Sequence, residues 1–542
     1  MASIYASAYF TILALDGKDA NHGLKGMPCN NADHPRYTQT MLQFTGQAKA
    51  LVSIPWERLN TPWDKRGWTF QERVLSRRCL GFTGGTLFWQ CKGAKWWEEI
   101  AAEPEGVPEG ECWIERPSKD SDYSLVVDPW PNNSCYWRLV QLYAKRNLSF
   151  DIDAPRAFSA VIDTMSRTFP GGFHWGIPAF FFDIGLLWGT RIPLQRRGEF
   201  PSWSWMGWLH GGYLKTHTSQ KSYNPDNTHE FPGNRKVNTD VEWYICETPG
   251  GKRSQINNSW HLYVAMRKSP RIALPHGWTC RKVECDEYST GSAASTHDES
   301  IKTDEGDIEE YHNCERGESD TSELIVDGSV EEHKGGNKHR GNDVDDAYHD
   351  TDSDGDDKQH CAASKIATRT AFFHQSLGDG KAFAYPVPLT ESPLGLSRHT
   401  WSRFLCFSTI RQHFVLDGTS FNPFPHDSNR VDDCLWMNLQ NPGGIWAGVI
   451  ESNFTRAEDA MDLKGCKCEV VVVSAEVVKR QHFSVFRELD CCDALKPLEV
   501  YEFYNVLWIE WQDGIAYRKG IGRVWKEVWD KQASEKVDVV LG

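Results

Sequence analysis

"RGWTFQERVLSRRCLGFTGGTLFWQC", from Arg66 to Cys91, is the densest stretch of this 542-residue chain. It reads as a short helix feeding a hairpin. Over Arg66–Ser76, Trp68, Val74 and Leu75 are the apolar residues of the helix. Two strand-like runs, "RCLGFT" and "TLFWQC", then flank Gly84-Gly85. A tight two-residue turn needs positive φ angles, which Gly-Gly supplies. The same stretch concentrates chemistry. Glu72 is a candidate acid, base or ribose-binding carboxylate. Arg66, Arg73, Arg77 and Arg78 are candidates for pairing with phosphates or with that carboxylate. The competing reading is structural: Arg66 and Glu72 tie the helix to nearby backbone, while Trp68 and Trp89 fill core.

Working outward, residues 1–125 mix helix and strand signals. "IYASAYFTILAL" reads as a helix running into a buried strand, and "DGKDANHG" breaks it. Residues 126–215 read as helical. Ser134 is expected to cap a helix bearing Tyr136, Leu139, Val140 and Tyr143, closed by Lys145 and Arg146 on the side the dipole favours. Asp153 is expected to cap a second helix, with Phe158, Val161, Ile162, Met165 and Phe169 on one face and Pro170-Gly171-Gly172 as its stop. Asp151 is expected to face water. In "FPSWSWMGWLHGG", Trp203 and Trp205 alternate with Ser as on a strand.

Residues 216–283 read as the first part of a β-rich region, with "WHLYVAM" as a strand. Residues 284–365 form an acidic insert. From Glu284 to His360 there are 25 Asp plus Glu against 6 Lys plus Arg, a net of −19. The whole chain carries −15, which leaves +4 for the remainder. The insert has no Trp or Phe, so its burial does not offset its chain entropy, and it is expected to be disordered. Residues 366–542 complete the β-rich region. "CEVVVVSAEVV" and "YEFYNVLWIEWQDGIAYRKGIGRVW" read as long strands, with Asp513-Gly514 turning the second into a hairpin.

Composition narrows the function. Hydrophobic residues are 40% and aromatics 12%, with 24 Trp, as in aromatic-rich globular domains. No basic field favours nucleic acid. The first residues lack the basic start of a signal peptide. The longest apolar run, Ile177–Trp188, is short and contains Asp183, so no transmembrane segment is expected. The 16 Cys include no CxxC pair. Cys466 and Cys468, like Cys491-Cys492, are too close to share an ordinary metal site. Reduced, mostly buried thiols, no metal and a cytoplasmic setting are expected. Asp350, Asp352, Asp354 and Gly355 have the spacing of half a calcium loop, but its twelfth position is Cys361. Gly520-Ile-Gly522 lacks a third glycine and is assigned to turn geometry.

The Arg66–Cys91 stretch resembles the closing motif of the fungal heterokaryon-incompatibility (HET) domain. Arg66, Gly67, Trp68, Thr69, Gln71, Glu72, Leu75, Ser76, Arg78, Trp89 and Cys91 stand at its motif positions. "MASIYASAYFTILALDGKDANHGL" is similar to the family's middle motif through Met1, Ile4, Tyr5, Ala8, Ile12 and Ala14. "FPSWSWMGW" and "YNVLWIEWQDGIAYRKGIGRVW" resemble segments found downstream in large HET proteins. The family's opening Leu-Ser-Tyr-x-Trp-Gly motif and its Trp-Ile-Asp-x-x-Cys-Ile-Asn-Gln segment have no counterpart. Met1 is therefore expected to be an internal methionine of a longer ancestor, and the module to carry an exposed sheet edge.

The resemblance implies an α/β module, an incomplete TIR-like, flavodoxin-like fold, followed by a helical segment and a β-rich C-terminal region. It implies a signalling and interaction protein of non-self recognition and programmed cell death. That function uses protein partners, allows self-association and needs no cofactor. One alternative is an NAD-hydrolysing TIR-like enzyme with Glu72 as its catalytic carboxylate and NAD bound. Another is an inactive truncated paralogue.

Overall fold

The computed structural model describes residues 2–19, 21–24, 41–43, 49–51, 61–91, 95–98, 130–190, 193–209, 214–216, 236–238, 241–266, 273–284, 368–377, 382–383, 385–389, 399–421, 436–453, 462–480 and 498–542. Met1–Val283 and Arg369–Gly542 form one compact unit. The second unit, Glu284–Thr368, lies outside the described residues except for its two end residues. The expected disorder of the acidic insert, the half calcium loop and Cys491-Cys492 therefore fall outside the described residues. The chain is mixed α/β, with few helices and a β-rich C-terminal sheet.

Helix α1 (Ala2–Ser7) runs into strand β1 (Thr11–Ala14), as its small-then-apolar pattern predicts, but the strand is not the buried one expected: Leu13 is buried while Ile12 is exposed. Helix α2 (Thr69–Leu75) leads into the hairpin β2 (Arg78–Thr83) and β3 (Thr86–Cys91), followed by β4 (Lys95–Trp97). The sheet order is β1-β2-β3-β4. β1 is parallel to β2, and the other two pairings are antiparallel. Gly84 and Gly85 have φ of 60° and 78°, the left-handed turn expected of them. The Asp16 carboxylate accepts from the Gly84 amide at 2.7 Å and ties this turn to the end of β1. One face of the sheet packs Leu13, Cys79 and Phe88 against Leu15 and Trp63.

Helix α3 (Asn133–Ala144) and helix α4 (Ala154–Met165) form the next layer. The cap of α3 is Asn132 rather than Ser134. Its extended backbone sets the side-chain oxygen 2.7 Å from the Cys135 amide. Asp153 stands at the N-cap of α4 without a capping bond, because a 3-10 turn over Asp151–Asp153 has already made its backbone helical. Asp151, expected to face water, ion-pairs with Arg197 Nε at 3.1 Å while staying half exposed. Phe158, Val161, Ile162, Met165 and Phe169 are all buried, as their spacing requires. Phe70 of α2 stacks on Phe158, with ring centroids 5.8 Å apart. A short helix α5 (Phe182–Leu186) follows.

Two strand expectations are corrected. In "FPSWSWMGW" the backbone makes a single 3-10 turn, Trp205–Gly207, in which the Ser204 hydroxyl accepts from the Met206 amide at 3.0 Å. An alternating strand would send Ser and Trp to opposite faces, yet Ser202, Trp203, Ser204, Trp205 and Trp208 are all buried. Their indole N–H groups donate to backbone carbonyls: Trp203 to Arg403 at 3.2 Å, Trp205 to Gly176 at 3.1 Å, Trp208 to Ser202 at 2.9 Å. Burying an indole requires such an acceptor, and that requirement shapes the segment. "WHLYVAM" is also not a strand. After the hairpin β5 (Tyr244–Cys246) and β6 (Ser254–Gln255), helix α6 (Trp260–Ala265) occupies it. Trp260, Tyr263 and Val264 turn to the core at helical spacing while Leu262 is exposed, so the 3.6-residue period overrides β propensity.

The C-terminal strands are β7 (Phe404–Phe421), β8 (Trp436–Gln440), β9 (Trp446–Ser452), β10 (Lys467–Lys479), β11 (Val500–Gln512) and β12 (Ile515–Trp525). Helix α7 (Lys526–Asp530) and strand β13 (Glu535–Leu541) end the chain. The pairings run β10-β11-β12-β9-β8-β7, and β7 pairs with β10 again, closing a six-stranded antiparallel ring. Phe414, Leu439, Ile450, Val470, Val506 and Val524, one from each ring strand, pack with Trp529 of α7. Asp513-Gly514 turns β11 into β12 as expected, with φ of 51° and 78°.

Gly520 and Gly522 do not serve a turn, contrary to the sequence assignment. They lie inside β12, where a Cβ would sit 2.1 Å from the Glu451 carbonyl oxygen and 2.3 Å from that of Val449. They let β9 and β12 approach closely. The opposite face of these strands joins the largest core, which holds Phe70, Phe158, Trp203, Leu405 and Leu541 together.

Candidate functional site

The residues before α2 organise the site. Thr61 Oγ1 donates to Asp64 Oδ2 at 2.8 Å, forming a short turn that points the carboxylate inward. Asp64 Oδ1 then lies 3.3 Å from Arg73 Nη1 and 3.6 Å from Arg146 Nη2. All three side chains are buried. The Arg146 guanidinium sits 5.2 Å from the Phe70 ring centroid and 5.8 Å from that of Trp63. Arg73 lies 5.9 Å from the Phe88 ring centroid and donates to Gln90 Oε1 at 3.5 Å. A buried carboxylate shared by two guanidiniums, each against an aromatic face, offsets part of the desolvation all three incur.

Arg146 also fastens the backbone. Its Nη1 donates to the Arg66 carbonyl oxygen at 3.0 Å and to Thr69 Oγ1 at 2.9 Å. The Gly67 amide donates to Asn147 O at 2.8 Å, and the Asn147 amide to Lys65 O at 2.6 Å. Gly67 is required here, because a Cβ would lie 2.4 Å from Leu148 Cδ2 and 3.2 Å from the Asn147 carbonyl oxygen. The start of the Arg66 motif is thus tied to the end of α3.

Glu72 is half-buried and faces α1, where its carboxylate hydrogen-bonds the Tyr5 hydroxyl. Burial raises the Glu72 pKa above the ordinary carboxylate value, and the Tyr5 bond, Arg66 and Arg146 pull it back in part. Burial, then Glu72, raises the Tyr5 phenol as well. The Glu72 carbonyl accepts from Ser76 Oγ at 2.5 Å, and Ser76 Oγ lies 2.6 Å from Thr11 Oγ1. A half-buried carboxyl beside a phenol can hold or pass a proton closer to neutrality than a solvated carboxylate.

The other motif residues divide between cluster and sheet. Gln71 and Arg73 are buried, Arg66 and Arg77 are exposed, and Trp68 packs half-buried on the main core. Arg78 lies at the start of β2, its guanidinium 5.1 Å from the Tyr9 ring centroid, and pairs in register with half-buried Cys91. Trp89 does not fill the core as expected of it. It lies on the outer face of the sheet, 5.9 Å from the Phe10 ring. There Ile12, Leu80, Trp89 and Trp96 are successive cross-strand neighbours. Ile12 is 55% exposed and Trp96 39%.

Sequence reasoning missed Asp64, and it named Arg146 and Tyr5 without a role at this site. Asp64 carried a local signal, the Thr61-x-x-Asp64 spacing of a side-chain turn. Arg146 carried only the appearance of a helix-closing cation. Among the described residues no group of three His, Cys, Asp or Glu is placed to hold a metal ion. No helix among them is long and apolar enough to cross a membrane.

No curated protein and no solved structure matches this chain. The family model described as "Heterokaryon incompatibility protein (HET)" matches residues 1–72, a stretch that ends on Glu72 and takes in Tyr5, Asp64, Arg66 and Gln71. Over that stretch the chain is similar to the heterokaryon-incompatibility family, which is consistent with a HET domain protein.

Proposed function

We propose that this chain is an interaction protein of heterokaryon incompatibility: its N-terminal sheet engages a protein partner inside the cell and relays a non-self signal that ends in cell death. The observation that carries this reading is the apolar row Ile12, Leu80, Trp89 and Trp96 on the outer sheet face, beside exposed Tyr9 and Phe10. Contiguous exposed apolar surface marks protein–protein contact. The β1-α2-β2 unit, with its parallel strands, supports the α/β, TIR-like part of the proposal. The test is expression of the full chain in a fungal host, beside an Ile12→Asp/Trp96→Asp variant that accumulates equally. Cell death by the parent and survival with the variant are expected. Equal killing by both refutes the docking face. Viability with stable parent protein points to the inactive paralogue.

A second reading rests on Glu72, whose raised carboxyl pKa and phenol neighbour suit an NAD-hydrolysing enzyme with the carboxylate beside the ribose. Purified full chain incubated with NAD tests it. Nicotinamide release that Glu72→Gln abolishes supports the enzyme, and no release from folded protein removes this reading.

A further inference from the structure

We propose that Cys246 and Cys406 are a redox pair that staples the edge hairpin β5–β6 to the long strand β7 when oxidised. Cys246 lies on β5 and Cys406 on β7, and both are buried. The strands pair antiparallel, with Tyr244 opposite Cys406 and Cys246 opposite Phe404, so the two cysteines are diagonal neighbours. Their sulfurs are 3.0 Å apart. That is far longer than the ~2.05 Å of a disulfide, yet short enough that a small side-chain adjustment joins them. The described cysteines are all free thiols.

The place of the pair gives the bond its consequence. β5 has three residues and β6 two, and β6 ends the sheet order. So short an edge element is held by few ladder bonds, and its local opening is the motion that exposes the pair. Opening would bring the two sulfurs to solvent together. Cys406 also pairs across its other edge with Val540 of β13, so the staple would join three strands through one position.

The oxidant is a peroxide, with hydrogen peroxide as the simplest case. Burial pushes the Cys406 thiol up to about 12, so Cys406 stays protonated while it is buried, and the reaction waits on opening of the hairpin. The thiolate of one cysteine attacks one peroxide oxygen, the O–O bond breaks, and a sulfenic acid and hydroxide form, the hydroxide taking up the proton the thiol released to give water. The sulfur of the other cysteine then attacks the sulfenic sulfur. The S–O bond breaks, the S–S bond forms, and a second water carries away the remaining thiol proton. Two thiols are oxidised, and one peroxide is reduced to two waters.

The experiment titrates the reduced full chain with hydrogen peroxide, alkylates it and maps its peptides. The Cys246–Cys406 cross-link is expected to form before irreversible oxidation of either residue and to reverse with dithiothreitol. Amide exchange across residues 244–255 is expected to slow several-fold in the oxidised protein. Exposed Cys280 and Cys466 report that oxidant was present. Recovery of Cys246 and Cys406 as intact thiols while Cys280 and Cys466 are oxidised overturns the proposal. So does a cross-link that leaves exchange across the hairpin unchanged. Mapping the parent protein requires no variant, so folding of a Cys→Ser protein does not limit the test.

Discussion

Arg146 Nη1 lies 3.0 Å from the carbonyl oxygen of Arg66, a residue 80 positions earlier in the chain. The same side chain reaches Asp64 in the buried Asp64–Arg73–Arg146 group. Removing it in Arg146→Ala leaves the Asp64 carboxylate with one buried cation and the Arg66 carbonyl without this donor. The expected loss is about 3–5 kcal/mol, the cost of breaking a buried ion pair by deleting one partner. Arg146→Lys is expected to recover only part of it, because an ammonium does not span both acceptors as the planar guanidinium does. Urea unfolding followed by tryptophan fluorescence checks this. A midpoint unchanged in both variants overturns the assignment.

Gly67 and Leu148 make a paired prediction. Gly67→Ala drives a methyl to 2.4 Å from Leu148 Cδ2. Overpacking of this kind costs about 1–3 kcal/mol. Leu148→Ala in the same chain is expected to relieve part of that cost, so the double variant is more stable than the sum of the singles predicts. Strict additivity in a double-mutant cycle would show that the two positions are not in contact.

Gly520→Ala tests the close approach of β9 and β12. The added Cβ meets a backbone oxygen, Glu451 O, at 2.1 Å, and backbone does not rotate away as a side chain does. Strand separation is expected, with faster amide exchange across residues 448–452 and 520–524 and weakened packing at Ile450 and Val524. Ala at Gly514, where nothing lies within 4 Å of a Cβ, is the contrasting site. Its cost is limited to the strain of φ +78°. Equal exchange at both sites in the two variants would refute the close-approach argument.

His174 gives a pH dependence. It is buried, and burial lowers its pKa from 6.5 to about 4. The folded state therefore prefers the neutral ring. Stability is full above the unfolded value of 6.5 and is lost as pH falls from there toward 4, because the unfolded chain takes up the proton first. That shift corresponds to about 3 kcal/mol across the window. Burial raises the Asp183 carboxyl, so Asp183 acts in the opposite sense, losing stability as pH rises above its ordinary 3.8. Subtracting a His174→Gln profile from the parent isolates the histidine. A difference that stays flat from pH 7 to 4.5 removes the effect.

Much of the architecture was legible because it is written in short-range patterns. The Gly84-Gly85 and Asp513-Gly514 turns follow from backbone sterics alone. Apolar periodicity gives α1 running into β1, the buried face of α4 and the long strands β10 to β12. The errors came where burial of a particular atom overrode the local pattern. The alternating Trp and Ser of residues 202–205 imitated a strand, but each indole N–H needed its own carbonyl. Gly520 and Gly522 looked like turn residues, but the neighbours that require them are Glu451 and Val449, some 70 positions away. The candidate site shows the same limit. Glu72 and Tyr5 were each visible as motif residues, whereas their hydrogen bond and the binding of Arg66 to Arg146 are long-range contacts with no local sequence mark.

The largest core carries a consequence for synthesis on the ribosome. Phe70 and Leu541 belong to one apolar cluster, so a chain made from its N-terminus exposes the Phe70 side of that cluster while more than four hundred residues are still to come. The last strand, β13, pairs along β7 from Leu405 to Arg411 and supplies Val539 and Leu541 to the same cluster. Completion of this core is therefore possible only once β13 has been made. Slowing translation would lengthen that exposed interval rather than help the first segment fold.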